Sequence, residues 1–380
     1  NTIFTTSSPQ NSDADIIEAL RIENCVDILA KNCFIYEVVN TAATSGVVQD
    51  ISEGGFINNI YFRGAGALGV FQAIGARASL PKLYVDYIDT DTQIAYLLIG
   101  GSFYIGYIEV ATSIKLVQAQ NTSFSIGTIN APNLSFSLQG GLNVNFRIGT
   151  LNFGYGIPLG STFLVDAYAY IDNFNQTMAT GGVIPFGGNN FLYIDNANIV
   201  DGMDVGTGLN TTFAINKLTY TENGSLGAII NCKSCVVRIN TMTVNGGSAF
   251  YINSSPASSF PGLVAQVQKL YLNGATITRG NMDFSAINIA SVVCVGTGVE
   301  YLSANGGEAL VINDLVATNI LAMFDSTASS TTKTQLYFNR LELPALISST
   351  TNQSGLTIVG DYLTTTNVAI TSGGSSSPRN

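Results

Sequence analysis

Along most of the chain a short unit recurs in which two apolar residues enclose an Asn, Asp or Gly and one further residue. It reads Ile57-Asn58-Asn59-Ile60, Val85-Asp86-Tyr87-Ile88, Ile105-Gly106-Tyr107-Ile108, Ile126-Gly127-Thr128-Ile129 and Ile148-Gly149-Thr150-Leu151. It continues as Ile171-Asp172-Asn173-Phe174, Ile194-Asp195-Asn196-Ala197, Ile215-Asn216-Lys217-Leu218 and Ile239-Asn240-Thr241-Met242, then Ile312-Asn313-Asp314-Leu315 and Phe338-Asn339-Arg340-Leu341. Looser copies are read at Val267-Gln268-Lys269-Leu270, Phe284-Ser285-Ala286-Ile287 and Ile358-Val359-Gly360-Asp361. About fourteen copies thus fall at a mean spacing of about 23 residues, the signature of a repeat architecture.

Polar and apolar residues alternate on both sides of the unit, as in Val237-Arg238-Ile239 followed by Met242-Thr243-Val244. A period of two predicts strand on each side. The Asn, Asp or Gly between the strands is the residue type that tolerates a left-handed backbone, so a sharp bend is expected there. Strand, bend, strand and a longer Gly/Ser/Asn-rich loop describe one coil of a parallel β-solenoid. Such a coil cannot bury its own apolar face, and stacking on its neighbours creates the core. Fourteen rungs about 4.8 Å apart predict a rod of about 60 Å.

This pattern resembles the right-handed parallel β-helix of the pectate-lyase-like superfamily over Ile57 to Leu363. The resemblance implies an Asn ladder at the bend, with Asn216, Asn240, Asn313 and Asn339 hydrogen-bonded between coils. Gly or Asp at other rungs interrupts it. The handedness rests on the resemblance alone.

Three segments are expected: residues 1–50 with a capping helix, 51–363 as the solenoid, and 364–380 as a flexible Ser/Gly/Thr-rich tail. The helix is read from the capping box Ser12-Asp13-Ala14-Asp15 and the helical spacing of Ile16, Ile17, Leu20 and Ile28. It would cover the open end of the stack, since unpaired edges invite further pairing.

Composition narrows the chemistry. The chain of 380 residues is 46% hydrophobic and 11% charged, with no His and a net charge of −10. Without His there is no Ser-His-Asp or Cys-His nucleophile and no imidazole metal site. An acidic chain without a Lys/Arg cluster argues against nucleic acid as a partner. No apolar run reaches the length of a membrane-spanning helix. So few charges on a hydropathic chain point to surface covered by copies of itself. Cys25/Cys33 and Cys232/Cys235 form two local pairs suited to disulfides in an oxidising compartment, with Cys294 left over.

Several motifs invite a sharper reading. Gly64-Ala65-Gly66-Ala67-Leu68-Gly69 matches a dinucleotide-binding loop, with Asp86 about twenty residues on. It lacks the alternating helices and strands that such a site needs, so no cofactor is expected. Cys232-Lys233-Ser234-Cys235 precedes a strand rather than the helix N-terminus that a redox pair uses. Neither this pair nor the composition completes a metal site. Carboxylates are the remaining catalytic groups. Asp86, Asp172 and Asp195 share the bend position, and Asp89 and Asp91 alternate on one strand. Asp172 and Asp195 are expected on adjacent rungs, and stacked carboxylates about 5 Å apart would suit glycosidic cleavage as an acid/nucleophile pair. Tyr84, Tyr87, Tyr104, Tyr107, Tyr168, Tyr170, Tyr193, Tyr271 and Tyr337 recur among the strands, where outward rings would stack on sugars or on a neighbouring subunit.

The expected function is therefore a non-enzymatic structural β-solenoid of an extracellular, cell-surface or virion assembly, with copies of itself as partners. The alternatives are a tailspike-type polysaccharide-degrading enzyme or an adhesin binding surface glycans. Converging acids would mark the first, and an exposed Tyr row without acids the second.

Overall fold

In the computed structural model, the apolar-bend-apolar units lie in long strands, each paired in parallel with the strand of a neighbouring unit. The structure describes residues 2–6, 17–18, 21–23, 29–30, 33–37, 44–50, 55–63, 69–73, 82–90, 94–97, 99–110, 114–116, 119–136, 141–156, 164–176, 190–200, 202–204, 211–222, 227–230, 235–252, 263–280, 286–295, 302–303, 309–316, 324–325, 334–350 and 356–372. The chain divides into two units, residues 1–178 with 184–193, and residues 179–183 with 194–380.

In the first unit the long strands are β1 (Gly55–Arg63), β2 (Lys82–Thr90), β3 (Ile99–Val110), β4 (Ala119–Phe136), β5 (Asn145–Gly156) and β6 (Tyr168–Gln176). They pair in that order, all parallel. β7 (Phe191–Ile199) passes from the first unit into the second. The second unit continues with β8 (Thr211–Thr221), β9 (Cys235–Asn245), β10 (Val264–Asn273), β11 (Ala286–Val295), β12 (Ala309–Val316), β13 (Thr334–Thr350) and β14 (Leu356–Ser372). These too pair in order and in parallel.

Short parallel strands alternate in sequence with the long ones and stack in sheets of their own. In the first unit these are Thr44–Asp50, Gly69–Ala73, Ile94–Leu97 and Ile114–Leu116. In the second they are Met203–Asp204, Ile229–Ile230, Ser248–Ile252 and Thr276–Gly280. Parallel strands joined in sequence, each stacked on its counterpart in the next repeat, make a parallel β-solenoid. The described residues amount to about six turns of it. The expected count of fourteen coils reaches into residues outside the described set.

The two apolar positions of each unit build the core. In the first unit Val85, Ile105, Ile126, Ile148 and Ile171 form one buried column, and Ile88, Ile108, Ile129, Leu151 and Phe174 another. Phe103, Phe124 and Phe146 stack face to face behind them, with ring centroids 5.5 and 5.1 Å apart. Each side chain taken out of water contributes about 1.5–3 kcal/mol, so the repeat of the pattern is what makes the stack stable.

Three expectations are corrected. The N-terminal helix is absent where it is described, because Ile17–Glu18 and Arg21–Glu23 are strands paired with Thr44–Asp50. Ladder hydrogen bonds to an existing strand, and the β-branched Ile17 and Ile22, outweigh the local helix signal. The tail does not begin at 364: β14 runs on to Ser372, its Thr364–Ser372 half paired with Glu342–Thr350, in keeping with its β-branched residues. Two of the loose repeat copies lie out of register with the paired strands. Val267 and Leu270 pair with Ile289 and Val292, and Phe338 and Leu341 pair with Gly360 and Leu363. The units there are Ile289-Ala290-Ser291-Val292 and Gly360-Asp361-Tyr362-Leu363, which depart from the pattern at Ala290 and at Gly360.

The left-handed residues are also not those expected. Among the described residues, positive φ falls on Asn121 (49°), Asn143 (56°) and Asp166 (53°), and on four glycines, none of them a bend residue of the repeat. Asn121, Asn143 and Asp166 each stand five residues before the first isoleucine of a unit, Asn121 near the start of β4 and the other two just ahead of β5 and β6. Asn and Asp tolerate this conformation better than other side chains that carry a Cβ.

Candidate functional site

The bend position carries a side-chain ladder in the second unit. Asn240 Nδ2 donates to Asn216 Oδ1 at 3.0 Å, and Asn216 Nδ2 donates to Asp195 Oδ1 at 2.8 Å. Asp195 Oδ2 also accepts from Asn196 Nδ2 at 3.1 Å. Asp195 thus serves as the acceptor at one end of an amide ladder. Asn313 and Asn339 occupy the same bend position on the adjoining strands β12 and β13.

In the first unit the bend column reads Asp86, Gly106, Gly127, Gly149, Asp172 along β2 to β6. Asp86 and Asp172 are therefore four rungs apart, about 19 Å, whereas the carboxyl pair of a glycosidase spans about 5–9.5 Å. Asp89 lies on β2 opposite Glu109 of β3, and Asp91 falls outside the described residues. Among the described residues no group of three or more His, Cys, Asp or Glu is placed to hold a metal ion. Gly69–Ala73, next to the glycine-rich motif, is strand, and residues 64–68 lie outside the described set.

Further polar ladders stand beside the unit. Directly after its second apolar residue, Asn130 Nδ2 donates to both carboxylate oxygens of Glu109, at 2.9 and 2.8 Å, and Asn175 Nδ2 donates to Asn152 Oδ1 at 3.0 Å. Tyr107 donates its hydroxyl proton to Glu109 Oε2 at 2.8 Å. Burial, with the hydrogen bond to and the charge of Glu109, pushes the Tyr107 phenol up to about 12. In the second unit Asn245 donates to Thr221, and Asn273 to Asn245. The sequence did carry this signal: Glu109, Asn130, Asn152 and Asn175 each follow the unit immediately, so the repeat extends by a fifth position.

The long strands of the first unit turn one row of alternating residues outward. Register places Tyr84, Tyr104, Ser125, Arg147 and Tyr170 in one column. Tyr84 and Tyr104 stack with centroids 4.6 Å apart and planes 9° apart, and Tyr170 and Tyr193 at 4.8 Å and 12°. The Arg147 guanidinium lies 5.5 Å from the Tyr170 ring centroid. A parallel column holds Ser102, Ser123, Asn145 and Tyr168, the last of them 58% exposed. Between the two Tyr groups the face sinks into a depression of about 230 Å³, formed by Ser102, Tyr104, Ser123, Ser125, Asn145 and Arg147 over the buried phenylalanines.

The last long strand of the second unit differs from those before it. The second apolar column is buried through Leu218, Met242, Leu270, Val292, Leu315 and Leu341, yet Leu363 on β14 is 41% exposed. Among the described residues β14 pairs with β13 alone.

Of the cysteines, Cys235 is buried at the start of β9 and Cys294 on β11 is not disulfide-bonded. Cys33 opens the strand Cys33–Glu37, and Cys25 and Cys232 lie outside the described residues. No described helix is long and apolar enough to cross a membrane. Comparison with protein-family models, curated proteins and solved structures found no match for this chain. The class defined by the coordinates is the parallel β-solenoid.

Proposed function

We propose that this protein is a non-catalytic structural solenoid of an extracellular, cell-surface or virion assembly, joined to copies of itself. The observation that carries the reading is the uncovered core position at Leu363, where six preceding residues of the same column are at most 1% exposed. An edge strand with an open backbone and an apolar inner position accepts a further strand, and covering the exposed 41% of Leu363 contributes about 1 kcal/mol. In this reading the covering strand comes from a second copy. The right-handed, pectate-lyase-like form of the helix and a Cys232–Cys235 disulfide belong to the same proposal.

Light scattering and negative-stain microscopy of the full chain test it. Oligomers or filaments are expected, and Leu363→Asp should shift them toward monomer while the strand signal in circular dichroism persists. A monomer at all concentrations, or oligomers indifferent to Leu363→Asp, would overturn the assembly through this strand.

A further inference from the structure

The depression on the outward face of β3 to β5 combines three chemistries. Tyr104 presents a half-exposed ring held by its stack on Tyr84. Ser102, Ser123, Ser125 and Asn145 offer short hydroxyl and amide groups along the floor. Arg147 stands at the far side, two rungs or about 10 Å from Tyr104, with its guanidinium against Tyr170. Among the described residues no carboxylate forms an ion pair with Arg147. The net charge of the chain is −10, and Arg147 is the one charged residue in the lining of this depression.

We infer that this depression binds a carboxylate-bearing saccharide. The Tyr104 face takes the C–H face of a pyranose, as aromatic rings take flat apolar surface. The serine hydroxyls and the Asn145 amide exchange hydrogen bonds with sugar hydroxyls, serving as donor or acceptor as each hydroxyl requires. Arg147 receives the carboxylate in its planar fork, a geometry that Lys does not reproduce. The Tyr170 ring holds that fork in place before the ligand arrives, which lowers the ordering cost of binding. The volume suits one or two sugar rings rather than a folded partner. A short site of this kind binds weakly alone and gains by repetition, so it serves an assembly of several copies. The nearest acid on the Tyr170 strand, Asp172, is half-buried at the bend and already engaged.

The test uses the full chain and saturation-transfer NMR with titration calorimetry. The probes are 3′-sialyllactose and a hexamer of uronic acids, with lactose, maltohexaose and a Glu-rich peptide as comparisons. An acidic saccharide is expected to bind at least tenfold more tightly than its neutral counterpart, and the affinity to fall with salt. Arg147→Gln should remove that preference, Arg147→Lys should restore little of it, and Tyr104→Ala should abolish saccharide binding. Both side chains are exposed, so an unchanged melting curve separates lost binding from lost fold. Equal binding of neutral and acidic sugars, equal binding of the acidic peptide, no binding of either acidic saccharide, or indifference to Arg147→Gln would each overturn the inference.

Discussion

Asn240 hands a hydrogen bond to Asn216 across one rung of the solenoid, and Asn216 hands one on to Asp195 across the next. Each amide donates in one direction and accepts from the other, so the ladder has a polarity and a carboxylate at its accepting end. Asn216→Ala breaks both links. Two neutral or singly charged hydrogen bonds near the surface contribute about 1–2 kcal/mol together, so Tm should fall by about 2–6 °C in calorimetry. Asn216→Asp should fall further at neutral pH, because it replaces a donor to Asp195 by a second carboxylate. That added loss should shrink when the melt is repeated near pH 4, where one of the two is protonated.

The glycine column of the first unit makes the opposite demand on the bend. A Cβ on Gly127 would run into the carbonyl oxygen of Gly106, and one on Gly149 into that of Gly127. These obstacles are backbone atoms of a paired strand and cannot swing aside. Gly127→Ala should therefore cost about 1–3 kcal/mol through overpacking, although it adds a single methyl group. Chemical denaturation with a strand-sensitive probe checks it. An alanine tolerated without loss would mean that the β3–β4 register relaxes.

Residues such as Ile126 and Ile129 made the solenoid legible, because a buried coil must repeat its inward side chains at every turn. Where a rung replaces the expected residue, as Ala290 does at the bend and Gly360 does at the first apolar position, the pattern slips and the register is lost. The N-terminal strands were not legible for a different reason. Ile17 and Arg21 gain their partners from residues 44–50, and a pairing across that distance leaves no local mark against a plausible capping box. The Tyr104–Arg147 depression was half legible. Tyr84, Tyr104 and Tyr170 were visible as outward candidates, but only the pairing register puts Arg147 between them.

Tyr107 links the first unit to pH. Its phenol is pushed up to about 12 by burial first, and then by the hydrogen bond to and the charge of Glu109. A phenol that ionises at about 10 in the unfolded chain binds its proton more tightly when folded. The stability this contributes is fully present below about pH 10 and is lost as pH rises toward 12. Ultraviolet titration of the seventeen tyrosines should show a fraction ionising about two pH steps late, and Tyr107→Phe should remove it. If Tyr107→Phe leaves the late fraction unchanged, the late-ionising phenol is not Tyr107.

The final rung allows a covered and a partly uncovered member of one column to be compared. Leu341 is fully buried, and Leu363, its partner one strand later, is 41% exposed. At the other apolar position the Phe338 ring occupies the space where a Cβ of Gly360 would stand, so this column closes over itself while the Leu363 column does not. Leu341→Ala should cost about 2–5 kcal/mol at any protein concentration, since it opens a cavity inside the stack. Leu363→Ala should cost less in dilute protein, because 41% of its surface is already in water there. If a second copy covers Leu363, the loss from Leu363→Ala grows with concentration, as expected for burial linked to association. Thermal melts over a hundredfold concentration range separate the cases: a concentration-independent loss at both sites would place Leu363 in a core already closed within one chain.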